Sequence, residues 1–549
     1  MSVVAVIIGK ERRMVGQFVA AGATSKEHAK TLEEVGLHGG LIFHRLRERA
    51  VVRESGPGRY YVDIESWEAV RHMRRRAASV LGIIALILIF LAVFFSKRTT
   101  AQAPSNPAID AIFGTWNKKD SPGCAVAVFQ NGKISYERGY GMADLENDIP
   151  ITPASVFYVG SVSKQFTAMA AALAIQQGHL SADDPIRKYL PELPPYADAI
   201  VVRHLVHHTS GLRDYNTLLS IAGRRGDEAY DNPTVLRITA RQKALNFEPG
   251  TDYLYSNTGY TLLATVVERA TKTPFATYAE EQIFKPLGMT ISHFHTDAAR
   301  LVKGRANAYA VGPNGLRLDT PSNERAGAGG VFTSVRDLLH WDENFYTGKV
   351  GGKALIEQVQ TPGTLKNGKP LTYAWGLQVG TYRGARIVEH SGSLGGYRAH
   401  ITRYPEHHTS FAALCNLAIN PGALLRQVAD IVLTDKLKGP ARTTDAAAPP
   451  PAQGAGGSSG STSDTKALGA YAGTYVSDEI DSTFTIVAGE QGLSLRRDTD
   501  ATPWPLTPSG PDTFRARGFT IRFEKSGERV TSLVVDAGRV RDIRFTRTS

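Results

Sequence analysis

The hydrophobic pattern of the chain is dominated by residues 77–95 (AASVLGIIALILIFLAVFF), nineteen positions without a charge. As a helix rising about 1.5 Å per residue this run would span about 28 Å, close to the hydrocarbon thickness of a bilayer. A buried core helix would ordinarily carry a polar stripe, and none interrupts the run, so it predicts one transmembrane helix. Arg71, Arg74, Arg75 and Arg76 precede it while only Lys97 and Arg98 follow, which is expected to leave the N-terminus in the cytoplasm and the chain after residue 98 outside. Ala101-Gln102-Ala103 matches a small-residue cleavage pattern, but the long apolar run and the residues before it fit an uncleaved anchor better.

Shorter patterns surround this run. Thr24-Ser25-Lys26-Glu27 reads as a capping box opening a helix through Ala29, Leu32 and Val35, and a second helix is expected through Leu41, Ile42 and Leu46. Residues 51–54 and 59–62 flank Ser55-Gly56-Pro57-Gly58, a hairpin signal. Residues 1–70 therefore predict a small winged-helix-like unit on the cytosolic side, either a DNA- or partner-binding module or a folded cap. Further on, Val162, Phe166, Met169 and Leu173 recur at helical spacing and Gly178 can end the run, which predicts a helix with one buried apolar face. Residues 439–466 lack aromatic and large aliphatic side chains and are rich in Ala, Pro, Gly and Ser, the composition of a flexible linker. From 467 to 549, alternating pairs such as Phe484 and Ile486 or Leu493 and Leu495 between turn residues predict a small antiparallel barrel or sandwich with an accessory role.

Composition narrows the function classes. The formal charge of +11 suggests a nucleic-acid partner until it is located: residues 1–98 hold sixteen Lys and Arg against nine Asp and Glu, +7 of that total. The basic excess thus lies beside the expected membrane, and no phosphate-binding stripe is expected in the large C-terminal part. Two cysteines, Cys124 and Cys415, exclude a disulfide-dense scaffold and a zinc-finger pattern, and allow one bridge at most.

Candidate chemistry gathers in residues 105–438. Ser161-Val162-Ser163-Lys164 opens the helix ending near Gly178, and the three-residue step sets Lys164 on the same side as Ser161, where its amine can take the hydroxyl proton. Tyr255-Ser256-Asn257 adds a phenol that can share a proton with a lysine and an amide that can hold the lysine or a substrate carbonyl. His390-Ser391-Gly392-Ser393 follows an apparent strand at 385–389; its glycine permits backbone to approach backbone, so the amide of Ser393 could join that of Ser161 as an oxyanion hole. Each pattern alone is weak. Ser463-Asp464-Thr465-Lys466, Tyr230-Asp231-Asn232 and His38-Gly39-Gly40 match the same short patterns in unsuitable surroundings, so the weight falls on the ordered set.

That set resembles the serine β-lactamases and penicillin-binding proteins, most of all the branch of class C β-lactamases and D-alanyl-D-alanine carboxypeptidases. Pro122-Gly123, the segment from Arg203 through His207, His208, Thr209, Ser210 and Gly211 to Leu212, Ala328-Gly329-Gly330-Val331 and Trp375-Gly376-Leu377 are also similar to family segments. The resemblance implies Ser161 as nucleophile, Lys164 and Tyr255 as the proton-handling pair, and Asn257, His390, Gly392 and Ser393 in substrate binding. It implies an α+β fold, an antiparallel sheet flanked by helices beside a helical region with the site between them, followed by a lipocalin-like barrel. In that fold the first and last strands are neighbours, which brings Cys124 and Cys415 close, whether as a bridge or as two buried thiols.

His390 departs from the family pattern, in which a lysine usually opens the third segment; histidine, with a reference pKa near 6.5, is not a fixed cation. His207 and His208 are expected to serve structure. The expected function is a membrane-anchored serine hydrolase working through an acyl-enzyme on D-amino-acid peptides, esters, amides or β-lactams outside the cytoplasm. No metal or cofactor is called for, and the partners are a small substrate and, through one helix, the membrane. The alternative is a penicillin-binding-type receptor, acylated once and signalling inward.

Overall fold

The computed structural model describes residues 3–96, 105–224, 230–322, 324–439 and 468–548. Of the linker expected at 439–466, residues 440–466 lie outside the described residues. Two compact units divide the chain, Met1–Gln102 and Ala103–Ser549.

In the first unit, α1 (Val3–Ala20), α2 (Leu41–Glu48), the hairpin β1 (Val52–Gly56) and β2 (Arg59–Val62), and α3 (Ile64–Ser96) follow in order. Val15, Phe18, Phe43, Leu46, Val62 and Trp67 form its core. The second helix and the hairpin stand where the sequence predicts them. The helix expected after Thr24 does not form: only a 3-10 turn, Lys26–His28, appears there. Its cause is local and tertiary at once. Ser25 Oγ bonds the His28 ring at 3.0 Å instead of a backbone amide, and Lys30 exchanges backbone hydrogen bonds with Tyr60 at 3.0 and 2.7 Å, which pulls the segment into extended pairing with the hairpin. The expected membrane run falls within α3, with its side chains at 78, 81 and 90–95 outside the described residues. Among the described residues no helix is long and apolar enough to cross a membrane, so the span rests on the sequence pattern alone.

The second unit begins with α4 (Pro107–Phe113), β3 (Cys124–Gln130) and β4 (Lys133–Tyr140), then the helices α5 (Ser163–Gln176), α6 (Asn257–Thr271) and α7 (Val335–Thr347). The strands β5 (Gln378–Tyr382), β6 (Ala385–Leu394), β7 (Tyr397–Tyr404) and β8 (Thr409–Cys415) and the helix α8 (Pro421–Val432) complete the part before residue 440. One antiparallel sheet runs β5-β6-β7-β8-β3-β4. Strand alternation explains its two dry faces. Ala125, Ala127 and Phe129 face the core built by α5, α6 and α7, while Val126 and Val128 face Phe113 of α4 and Leu425 and Val428 of α8. Cys124 pairs directly with Cys415 in the β3–β8 ladder, and the two form a disulfide with Cα atoms 4.0 Å apart.

Beyond residue 467 the strands are β9 (Gly473–Ser477), β10 (Ser482–Gly489), β11 (Gly492–Arg497), β12 (Trp504–Pro505), β13 (Thr507–Gly510), β14 (Thr513–Ala516), β15 (Phe519–Ser526), β16 (Arg529–Ala537) and β17 (Val540–Arg547). Their order is β12-β11-β10-β9-β17-β16-β15-β14-β13. The two edge strands are separated in the chain by Leu506 alone, so the sheet curls into a nearly closed barrel around Tyr475, Phe484, Leu495, Ile521, Leu533 and Phe545.

Candidate active site

Ser161 sits in a 3-10 turn, Gly160–Val162, that leads directly into α5, and Lys164 is the second residue of that helix. The sequence suggests one apolar face on α5; instead the helix is buried on every side from Ser163 to Ala174. Its polar residues are spent on neighbours: Ser163 Oγ accepts from the Val331 amide at 3.0 Å, and Gln165 Oε1 accepts from Trp341 at 2.8 Å.

The Lys164 amine lies 3.0 Å from Ser161 Oγ and donates to Asn257 Oδ1 at 2.9 Å and to the Ala328 carbonyl at 2.7 Å. Burial pushes its pKa well below the ordinary lysine value; Asp214 counters this and Arg539 reinforces it. In its neutral form the amine has two N–H bonds for these two acceptors, which leaves its lone pair for the Ser161 hydroxyl. Tyr255 lies against this group, with Lys164 Nζ 4.8 Å from its ring centroid. Burial raises the phenol above its usual pKa, and a hydrogen bond with Ser161 and the charge of Arg539 act in the opposite sense.

Asn257 begins α6, where Ser256 caps the helix by accepting from the Gly259 amide at 3.3 Å. Asp214, which the sequence does not single out, and His208, expected to be structural, hold this segment. Asp214 accepts the Asn257 amide at 2.6 Å and the Thr217 amide at 3.3 Å. His208 Nδ1 accepts the Ser256 amide at 3.1 Å while its ring packs on Tyr255, Tyr260 and Tyr373. His207 contacts the Tyr373 carbonyl at 3.3 Å. Both histidines are therefore structural supports.

The third segment enters along β6. A Cβ on Gly392 would stand 1.9 Å from the Val159 carbonyl and 2.9 Å from the Ser161 amide, and one on Gly160 would stand 2.4 Å from the Ser393 amide. The two glycines thus let the strand press against the serine turn, and Gly160 also adopts φ +52° there. The Ser161 amide thus lies against Gly392 and the Ser393 amide against Gly160. His390 is 4% exposed; its Nδ1 donates to the Ser391 carbonyl at 2.6 Å, and its Nε2 accepts from the Tyr373 hydroxyl at 3.0 Å. Burial and the nearby Lys164 push its pKa down to about 3, so it is neutral. Tyr373 carried no recognisable signal in the sequence.

A cleft of about 1150 Å³ brings Ser161, Tyr255, Asn257, His390, Gly392 and Ser393 together. Of the look-alike segments, Tyr230-Asp231-Asn232 lies elsewhere, with Asp231 serving as the N-cap of a surface helix, and Ser463 to Lys466 lies outside the described residues. Among the described residues no group of His, Cys, Asp or Glu is placed to hold a metal ion.

A family model for Beta-lactamase matches residues 108–434. Penicillin-binding protein 4* of Bacillus subtilis (strain 168) is 30% identical over 329 residues, covering 56% of this chain and 71% of the relative. A D-aminopeptidase of Gluconobacter oxydans (strain 621H) is 27% identical over 322 residues, 59% of either chain, so the chain spans little more than half the length of that relative. Among solved structures, the octameric penicillin-binding protein homologue from Pyrococcus abyssi shares the fold with a TM-score of 0.53 at 24% identity, covering 78% of this chain and 96% of that one. D-amino acid amidase from Ochrobactrum anthropi SV3 does so with a TM-score of 0.51 at 22% identity, covering 60% and 99%. With the matched span covering the serine turn, the tyrosine segment and the third segment, the chain belongs to the beta-lactamase family.

Proposed function

We propose that the chain hydrolyses amides, peptides or esters of D-amino acids by acyl transfer from Ser161 to water. The observation that carries this reading is the buried Lys164 amine, held 3.0 Å from Ser161 Oγ with its two other contacts both to acceptors. In the first step Lys164 takes the Ser161 proton, Oγ bonds to the substrate carbonyl carbon, and the oxyanion rests on the amides of Ser161 and Ser393. The carbonyl–nitrogen or carbonyl–oxygen bond then breaks, and the proton passes through Tyr255 to the leaving group. Water, deprotonated by the same pair, attacks the ester on Ser161 and releases the acid with the serine restored. The substrate class is supported by the names of the relatives, a D-aminopeptidase and a penicillin-binding protein.

The test is repeated turnover by the purified protein of a chromogenic D-amino-acid amide, an ester and a cephalosporin, together with mass-spectrometric location of the trapped acyl group. An adduct on Ser161 with many turnovers per molecule is expected. Labelling that persists in Ser161→Ala would defeat the reading.

The same proposal places the hydrolase outside the cytoplasmic membrane on a single-pass anchor. Its support is the uncharged run at 77–95, the arginines before it, and the exposure of Val80, Ile83, Ile84, Leu86 and Ile87 along α3. Protease added to cells, with any outer membrane permeabilised, should strip the hydrolase; complete protection would overturn the topology.

A further inference from the structure

The barrel reaches the catalytic cleft through one residue. Gly538 and Arg539 form the tight turn between β16 and β17. The Arg539 guanidinium stands 4.6 Å from the centroid of the Tyr255 ring and 3.9 Å from Asp214 Oδ2, and it lines the same cleft as Ser161. The turn is pinned. Asn246 Nδ2 donates to the Arg539 carbonyl at 3.0 Å, Asn246 Oδ1 accepts from the Arg541 amide at 2.8 Å, and Arg213 donates to the carbonyls of Arg541 and Asp542 at 3.0 and 2.8 Å.

Among the described residues, the other basic side chains lining the cleft are engaged by their neighbours. Arg426 binds both oxygens of Glu389 at 2.7 and 2.6 Å, and Arg398 donates to the carbonyls of Gly395 and Tyr397 at 2.6 and 2.8 Å. Arg325 is buried against Tyr215 and Tyr230. His390 has both ring nitrogens engaged. Arg539 differs from all of these. Its side chain is 43% exposed, and its carboxylate neighbour Asp214 is held at a loose distance with Oδ2 already taken by the Asn257 amide.

We infer that Arg539 is the specificity residue of this active site, a fixed cation lent by the barrel that takes the carboxylate of a D-amino-acid leaving group. Such a carboxylate carbon is three bonds from the scissile carbonyl carbon, and Arg539 lies one tyrosine ring away from the nucleophile. A guanidinium suits it because its planar fork matches a carboxylate in two parallel hydrogen bonds. The favoured substrates are therefore peptides that end in a free D-amino acid. This inference rests on the acyl-transfer reading above.

The test uses the full chain and two matched substrates, N-acetyl-D-alanyl-D-alanine and its C-terminal amide. The quantity read is the ratio of their kcat/KM values, which cancels any change in the shared proton-transfer steps. Arg539→Gln should lower the ratio, carboxylate over amide, by about tenfold or more, as expected for the loss of a charge-assisted hydrogen bond, with Arg539→Lys falling less. Arg541→Gln removes a charge from the same hairpin outside the cleft and should leave the ratio within about twofold. An unchanged ratio in Arg539→Gln, or an equal fall in Arg541→Gln, would overturn the role of Arg539 while leaving the hydrolase reading intact. Absence of turnover of both substrates and of any acyl adduct on Ser161 in the unaltered protein would overturn the hydrolase reading and this inference with it.

Discussion

Arg213 and Glu479 form an ion pair at 2.7 Å across the contact between the hydrolase part and the barrel, with side chains only 1% and 5% exposed. Arg213 pairs with the barrel's Glu479 while the adjacent Asp214 accepts the Asn257 amide. One dipeptide therefore ties barrel docking to the catalytic tyrosine segment. Glu479→Ala would leave the guanidinium buried without its anion, at a cost of about 3–5 kcal/mol. Urea unfolding should report that loss, and turnover should fall with it because the Asp214 support shifts; a variant with unchanged stability and turnover would show that the docking is dispensable.

In the proposed reaction Ser161 carries the acyl group, so in Ser161→Ala turnover should drop to background while the circular dichroism spectrum is retained. Lys164→Ala and Tyr255→Phe should each cost on the order of 10³-fold in kcat/KM, and the double variant little more, since members of one proton-transfer unit fail together. Losses that multiply would show that the two residues act in separate steps.

The pH dependence follows from the buried lysine. Burial lowers the Lys164 pKa, so the amine is neutral and competent above that value and protonated below it. kcat/KM should therefore rise with pH along an acid limb lying well below the ordinary lysine pKa and reach a plateau. Arg539 contributes to the depression, so Arg539→Gln should move the limb to higher pH for both substrates alike. A limb that stays in place in that variant would separate Arg539 from Lys164 electrostatics.

Acid stability has an identifiable source in Glu389. Burial acts to raise its pKa, but the hydrogen bond from His400 at 3.0 Å and the Arg426 guanidinium hold it down to about 2, below the ordinary 4.5. A carboxyl depressed on folding stabilises the protein above its unfolded pKa, and that stabilisation is lost as pH falls from 4.5 toward 2. The shift corresponds to about 3 kcal/mol. Glu389→Gln should lower the apparent Tm at neutral pH and flatten its decline across that acid window; a decline as steep as in the unaltered protein would assign the acid sensitivity elsewhere.

What the sequence determined by itself is what short-range geometry encodes. A three-residue step on a helix puts Lys164 beside Ser161 wherever that helix is packed, and the unbroken apolar runs at 124–129 and 411–415 make both strands apolar on both faces. The same local rules misjudge the segment after Thr24, where Ser25 has the right spacing for a cap but Lys30 is drawn into pairing with Tyr60. Charge state and long-range company were decided only by the tertiary structure. His390 has the residue type of a pH-sensitive cation, yet a site 4% exposed, with both nitrogens engaged, leaves it neutral. Asp214, Tyr373 and Arg539 have no local signature, because their importance comes from chain segments that meet only when the helices, the sheet and the barrel close on one cleft. Desolvation and through-space charge depend on everything that surrounds a group in three dimensions, and spacing along the chain specifies only its nearest turn or strand.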